Sequence, residues 1–275
     1  MSLNGDETND NKPAIFTDVQ PLAPKKYIPA KSSHQDIKKR IQEKKTLALD
    51  FMGSGEVWTT MKVVSHILEL GVRQTQATLS HMVRDKLLKA EDLGGGLRIY
   101  GISPLGLANI NATGTCPAFS LGKTIPRTTD HHLTIQKVRL ELTKHYEAEN
   151  WVSGNALYKN RLFKNIPDAF FTHRGRYFAV EVELNVKSKQ RMKEVLKNYC
   201  EDLHDLNDPL CTLHYVIYFT PSVEAIRSLI DEFVPLNLRR RFLVIYTDEE
   251  IQPYKKSGIH YLNNDLCSVF FPVQQ

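Results

Sequence analysis

Between Glu56 and Leu107 the apolar positions first recur three and four apart and then alternate. Val63, Val64, Ile67 and Leu68 predict one helix, with Thr59-Thr60 as its cap. Gly71-Val72 turns the chain, and Leu79, Met82, Val83 and Leu87 predict a second helix for which Thr75 is the candidate cap. After Leu88, the run Lys89-Ala90-Glu91-Asp92-Leu93, Gly94-Gly95-Gly96, Leu97-Arg98-Ile99-Tyr100 predicts a strand, a glycine turn and a return strand. Ile102-Ser103-Pro104-Leu105-Gly106 then opens a short helix. Ahead of all this, Ile37, Ile41, Leu47 and Phe51 predict a helix from Ser33 to about Met52. Residues 1 to about 34 are polar and Pro-punctuated without periodicity, the pattern of a disordered leader.

Pro117 to Pro126 reads as a linker, and the periodicity resumes beyond it. Thr128-Thr129-Asp130 is a good start for a helix over roughly His131 to Glu149, with Ile135, Val138 and Leu142 as its inward stripe and Glu141 one step off it. Val152 to Lys164 predicts a turn and a strand. Ile166 to Thr172 and Arg176 to Leu184 predict a hairpin turned at His173-Arg174-Gly175. Ser188 to His204 reads as a helix, Thr212 to Phe219 as a buried strand, Val223 to Phe233 as a helix and Arg241 to Tyr246 as a last strand. The order α-β-β-β-α-β-α-β implies one mixed sheet flanked by helices. The expected organisation is a leader over 1–34, a first domain over 35–115, a linker over 116–127 and a second domain over 128–275.

Composition narrows the function classes. The 275 residues are 41% hydrophobic, ordinary for a globular protein, and no run approaches the length of a membrane span. The N-terminus does not read as a signal peptide. Cys116, Cys200, Cys211 and Cys267 show no CxxC pairing and fit a reducing, cytoplasmic setting better than a disulfide framework or a zinc site. Net charge is +5, yet Lys25 to Leu47 alone holds eight Lys and Arg against two acids, a local +6. Such an arm suits nucleic-acid phosphates, or else simply keeps a tail solvated.

The candidate chemistry lies in the hairpin. Asp168 follows Pro167; after twelve intervening residues come Glu181-Val182-Glu183, and then Lys187. Phe178, Val180, Val182 and Leu184 share one face of the strand, and Ala179, Glu181 and Glu183 the other. Two acids on a strand rich in Val and Phe are costly unless they bind a cation. A divalent metal on oxygen ligands, activating water against a phosphodiester, is the chemistry this suits. The plainer alternatives are an edge strand with a solvated acidic face, a turn aspartate at Asp168, and a solvated basic helix face at Lys187, Lys189 and Arg191. Tyr199 reads as core from its Met192-Leu196-Tyr199 spacing.

Helix, turn, helix and wing, with the Tyr100-Gly101-Ile102-Ser103-Pro104-Leu105-Gly106 run after it, resembles the winged helix-turn-helix family. That resemblance places Gln76, Thr78, Ser80, His81 and Arg84 on the outer face of the recognition helix, with Arg98 on the wing. Lys38, Lys39 and Arg40 of the basic arm join them as candidate DNA contacts.

The acid after Pro and the pair on the next strand resemble the PD-(D/E)XK nuclease superfamily, which includes many restriction endonucleases. The pattern usually has Lys where this chain has Glu183; Lys187 or Lys189 on the following segment is the candidate replacement. The two halves together, with Asp130-His131-His132-Leu133 and Glu-x-Glu-Leu-x-x-Lys-Ser-Lys, are most similar to the MobC-type plasmid mobilisation relaxases of the replication–relaxation group. The implied fold is mixed α/β, an N-terminal winged helix followed by a restriction-endonuclease-like α-β-β-β-α-β domain. The implied roles put Mg²⁺ or Mn²⁺ on Asp168 and Glu181. Glu183 completes the metal shell or acts as general base, Lys187 steadies the pentavalent charge, Glu141 is an outer acid and His132 touches the phosphate or a metal-bound water. The implied activity is nicking of one strand at a plasmid transfer origin in the cytoplasm, with accessory mobilisation proteins and a coupling ATPase as partners. A restriction-type double-strand enzyme and a non-catalytic DNA-binding regulator remain the alternatives. A relaxase that reseals needs a covalent intermediate, and Tyr158, Tyr177 and Tyr199 stand open for that role.

Overall fold

Ser33 and Asp36 cap each other's backbone. The Ser33 hydroxyl accepts the Asp36 N–H at 3.1 Å, and the Asp36 carboxylate accepts the Ser33 N–H at 3.0 Å. This opens α1 (His34–Phe51), so the helix begins where the polar leader was expected to end. The computed structural model describes residues 33–110, 116–123, 128–157, 164–203 and 213–247. The expected leader up to residue 32, the expected chain beyond 247, Tyr158, Cys211 and Cys267 lie outside the described residues. α1 is anchored in its C-terminal half, by buried Ala48, Leu49 and Phe51 and by Lys44 and Lys45, which reach Leu68 O and the Asp85 carboxylate; Ile37 and Ile41 are exposed along with Lys38, Lys39 and Arg40.

A π-turn (Met52–Glu56) with Gly55 at φ 114° leads into β1 (Trp58–Thr60), α2 (Met61–Leu68) and α3 (Val72–Arg84). Thr60 caps α2 as expected. The cap of α3 is Gly71 rather than Thr75, whose hydroxyl donates back to Gly71 O at 3.1 Å from inside the first turn. β2 (Leu88–Asp92) and β3 (Arg98–Ile102) form the expected hairpin, and Gly94, Gly95 and Gly96 all take positive φ at its tip. β1 joins them in the order β1-β3-β2, a strand too short for alternation to reveal. After α4 (Pro104–Ala108), Cys116 and Phe119 are buried, so this part of the expected linker is packed. Phe119 N–H donates to Ile102 O at 2.8 Å, and its ring takes the space a Cβ on Gly101 would need.

α5 (Thr129–His145) ends four residues before the expected point, where Glu147 and Asn150 take positive φ. β4 (Glu149–Ser153), α6 (Gly154–Leu157), β5 (Ala169–His173), β6 (Arg176–Val182), α7 (Lys189–Asp202), β7 (Tyr215–Thr220), α8 (Val223–Phe233), α9 (Leu236–Arg239) and β8 (Phe242–Tyr246) follow. The five strands lie in chain order, antiparallel from β4 to β6 and parallel from β6 to β8. The described residues form a mixed α/β fold with two sheets. Arg174 and Gly175, both at positive φ, make the β5–β6 turn, as a tight two-residue hairpin requires. Phe178, Val180 and Val182 on one face of β6 pack with Ile135, Val138 and Leu142 of α5. Ala179 on the other face packs with Met192, Leu196 and Tyr199 of α7.

The two halves are tied through α5. Arg139 reaches Glu56 at 3.1 Å, a pair in which Glu56 is 1% exposed. Gln136 donates to Trp58 O at 2.7 Å and accepts from the Thr59 hydroxyl at 2.6 Å. Leu133 joins the core of the N-terminal half. Among the described residues, no helix is long and apolar enough to cross a membrane.

Candidate active site

Asp168 sits one residue before β5, where Pro167 holds the chain extended before the strand pairing begins. Its Oδ2 accepts the Val182 N–H at 2.8 Å, which fixes the carboxylate against the end of β6. His131, in the first turn of α5, places Nε2 3.2 Å from the same oxygen and 2.9 Å from Val182 O. Both neighbours are acceptors, so Nε2 carries the hydrogen. Burial opposes charge on this imidazole, but the hydrogen bond and charge of Asp168 outweigh it and raise its pKa.

Glu181 is buried on the Ala179 face of β6. Its Oε1 accepts hydrogen bonds from the Tyr199 hydroxyl and, at 2.9 Å, from Asn165 Nδ2. Burial first, and then the charge of Asp168, push its carboxyl up to about 8; the Tyr199 hydrogen bond and Lys187 pull the other way. Glu183, also buried, forms an ion pair with Lys187. Its backbone N–H donates to Phe219 O at 2.9 Å, extending the β6–β7 ladder beyond Val182. Tyr218, opposite Glu181 on β7, has a buried hydroxyl with no hydrogen-bond partner among the described residues. Burial and then the charges of Glu181, Glu183 and Asp168 hold that phenol well above its ordinary pKa.

Asp168, Glu181, Glu183 and Lys187 are therefore brought to one end of the sheet. Two other candidates are not. His132 turns away from Asp168: its Nε2 lies 3.2 Å from Trp58 O and its ring packs on Trp58 at 4.2 Å, and burial lowers its pKa. Glu141 lies ten residues beyond His131, roughly 15 Å along α5, with His145 as its neighbour at 3.6 Å. The sequence reading passed over His131, although it falls four residues before Ile135 on the inward stripe. Asn165 carried no signal, and the Tyr199 reading as core was incomplete, because its hydroxyl serves Glu181.

A cleft of about 630 Å³ is lined by Asp168, His131 and Trp58 among others, but not by Glu181, Glu183 or Lys187. No protein-family model, no curated protein and no solved structure matches this chain. The site therefore has to be read from its own chemistry. Among the described residues, no three His, Cys, Asp or Glu side chains form a ready-made metal cluster. Asp168 and Glu181 nevertheless supply hard oxygen donors close enough to repel, and Mg²⁺ is commonly held by one or two carboxylates completed by water and phosphate. The donor set fits such an ion.

The candidate DNA contacts lie away from this end. Gln76, Ser80, His81 and Arg84 are exposed on α3, while Thr78 is half-buried with its hydroxyl on Gln74 O at 2.9 Å. Arg98 is exposed at the tip hairpin, 3.7 Å from Asp92 and above the Tyr100 ring.

Proposed function

We propose that this protein is a metal-dependent DNA endonuclease that nicks one strand, in the manner of the plasmid mobilisation relaxases it resembles. The observation that carries the reading is the meeting of Asp168 and Glu181. The β5–β6 register, carried one step back from the Ala169–Val180 pair, sets Asp168 beside Glu181, and the charge of one raises the pKa of the other. A buried acid whose ionisation is opposed by a second acid beside it marks a functional-site candidate. The helices α2 and α3 with their hairpin support a winged-helix reading of the first half, and the order α5-β4-β5-β6-α7-β7, with the short α6 inserted after β4, supports an endonuclease-like reading of the second.

Asp168 and Glu181 would hold Mg²⁺ or Mn²⁺, which when bound polarises a phosphate and lowers the pKa of a water. His131 and the Val182 N–H orient Asp168 for that task. Tyr199 and Asn165 orient Glu181. The departure at Glu183 is repaired by its ion pair, which sets the Lys187 ammonium beside the acids, where it can stabilise charge on a transferring phosphate.

Hydrolysis by water fits better than attack by Tyr177 or Tyr199, the two candidate tyrosines among the described residues. The Tyr199 hydroxyl is buried, committed to Glu181 and raised well above its ordinary pKa. Tyr177 lies five residues before Val182, roughly 17 Å along β6. A second reading, a DNA-binding regulator without cleavage, is favoured by one observation: Glu183 is committed to an ion pair with Lys187. Thermal denaturation with Mn²⁺ separates the two readings. The nuclease reading expects a Mn²⁺-dependent rise in Tm that Asp168→Ala abolishes, by mass action on the folded state; equal Tm with and without metal favours the regulator.

A further inference from the structure

The cleft beside Asp168 has features that metal chemistry does not use. Its volume of about 630 Å³ falls within the ~300–1,000 Å³ of sites that enclose a whole small ligand. Trp58 forms part of its wall: its backbone carbonyl takes the Gln136 amide at 2.7 Å, and the His132 ring packs on its indole at 4.2 Å. Lys123 and Asn155 line the cleft and are exposed. Ser153 lines it too, and its buried hydroxyl has no hydrogen-bond partner among the described residues. Of the acids in the wall, Glu56 is already paired with Arg139, and the exposed Lys123 ammonium lines the same cleft.

An indole, an ammonium and an unused hydroxyl suit a planar, polar, anionic ligand. A base inside a duplex offers only its edge; an unpaired base offers its face for stacking. We propose that the cleft binds one unpaired nucleotide next to the phosphate presented at Asp168, with its base on Trp58 and its phosphate near Lys123. This rests on the nuclease reading for the identity of the neighbouring phosphate. It adds a basis for strand choice: the strand that yields an unpaired nucleotide to the cleft is the one brought to the acids.

The test is binding of a labelled oligothymidylate, followed by anisotropy in EDTA so that no cleavage intervenes, beside a duplex of the same length. Trp58→Leu is expected to weaken oligothymidylate binding on the order of tenfold, the loss of one base–aromatic stack. Lys123→Ala, a surface change that leaves the packing alone, is expected to weaken it severalfold. Duplex binding should hold within about twofold in both, which also reports that they fold. Oligothymidylate binding unchanged in Lys123→Ala and in a folded Trp58→Leu overturns the proposal. Scoring Mn²⁺-dependent cleavage by the wild type separates the failures. Cleavage with insensitive oligothymidylate binding removes the cleft alone; sensitive binding without cleavage removes the nuclease reading and leaves a nucleotide site.

Discussion

Tyr199 donates its phenolic hydrogen to Oε1 of Glu181, and both residues are buried between β6 and α7. The tyrosine thus holds up the sheet's second layer and orients an acid at once. Tyr199→Phe should preserve the packing but leave Glu181 with Asn165 as its remaining donor. The expected loss is about 1–3 kcal/mol, the cost of under-satisfying a buried polar group. The Tyr199 hydrogen bond lowers the Glu181 pKa, so its removal should raise that pKa further and weaken Mn²⁺ binding at neutral pH. Isothermal titration with Mn²⁺ and urea denaturation of the variant check both halves; affinity unchanged at pH 7 contradicts the orienting role.

The raised Glu181 carboxyl makes stability depend on pH with a definite sign. Its pKa moves from an ordinary 4.5 to about 8, so between those values the folded protein keeps a proton that the unfolded chain releases. This contribution is fully present below the ordinary 4.5 and is lost as pH rises toward 8. His131, also raised, contributes in the same direction. Glu181→Gln should flatten the larger part of the slope in denaturant titrations from pH 5 to 8.5. Mn²⁺ works in the opposite direction, because it binds the ionised acid, and its stabilising effect should grow over the same range.

Arg139 and Glu56 form the buried ion pair between the halves. Arg139 also stacks over Phe51, with its guanidinium carbon 4.4 Å from the ring centre. Removing either partner strands a buried charge, so Arg139→Met or Glu56→Gln should destabilise by about 3–5 kcal/mol. The double change Glu56→Leu with Arg139→Met should recover much of that loss. A single-variant loss below about 1 kcal/mol in urea denaturation contradicts a buried, well-made pair.

Lys38, Lys39 and Arg40 project from the unanchored part of α1. If they meet phosphates, replacing all three with Ala should lower the slope of log K against log salt by about 3 and weaken all duplex sequences alike. Gln76→Ala on α3 should instead leave the slope intact and relax preference among sequences by about 1–3 kcal/mol. Binding measured at several salt concentrations on two sequences distinguishes them.

The sequence was most informative where one physical rule acted alone. The alternation in Phe178-Val180-Val182 located β6 and its two faces, and Val223 to Phe233 was read to the residue because its stripe is uninterrupted. Capping rules found Thr60 but misplaced the start of α3, since a threonine hydroxyl bonds inside a first turn as readily as ahead of it. β1 was missed because three residues carry no period. Asp168, Glu181, Glu183 and Lys187 were legible as a cluster because local strand geometry links them. His131 was not, because choosing between adjacent histidines depends on how α5 is rotated against a sheet built from distant residues. Asn165 and Tyr218 gain their roles only through tertiary contact.

The most direct test of the account is a supercoiled-plasmid assay with Mg²⁺ or Mn²⁺, using a plasmid that carries the candidate transfer origin and the Asp168→Ala protein beside the wild type. The account predicts open circles from the wild type alone, dependent on metal. Linear product would indicate restriction-type cleavage of both strands, and no cleavage with plasmid binding intact would contradict the nuclease reading.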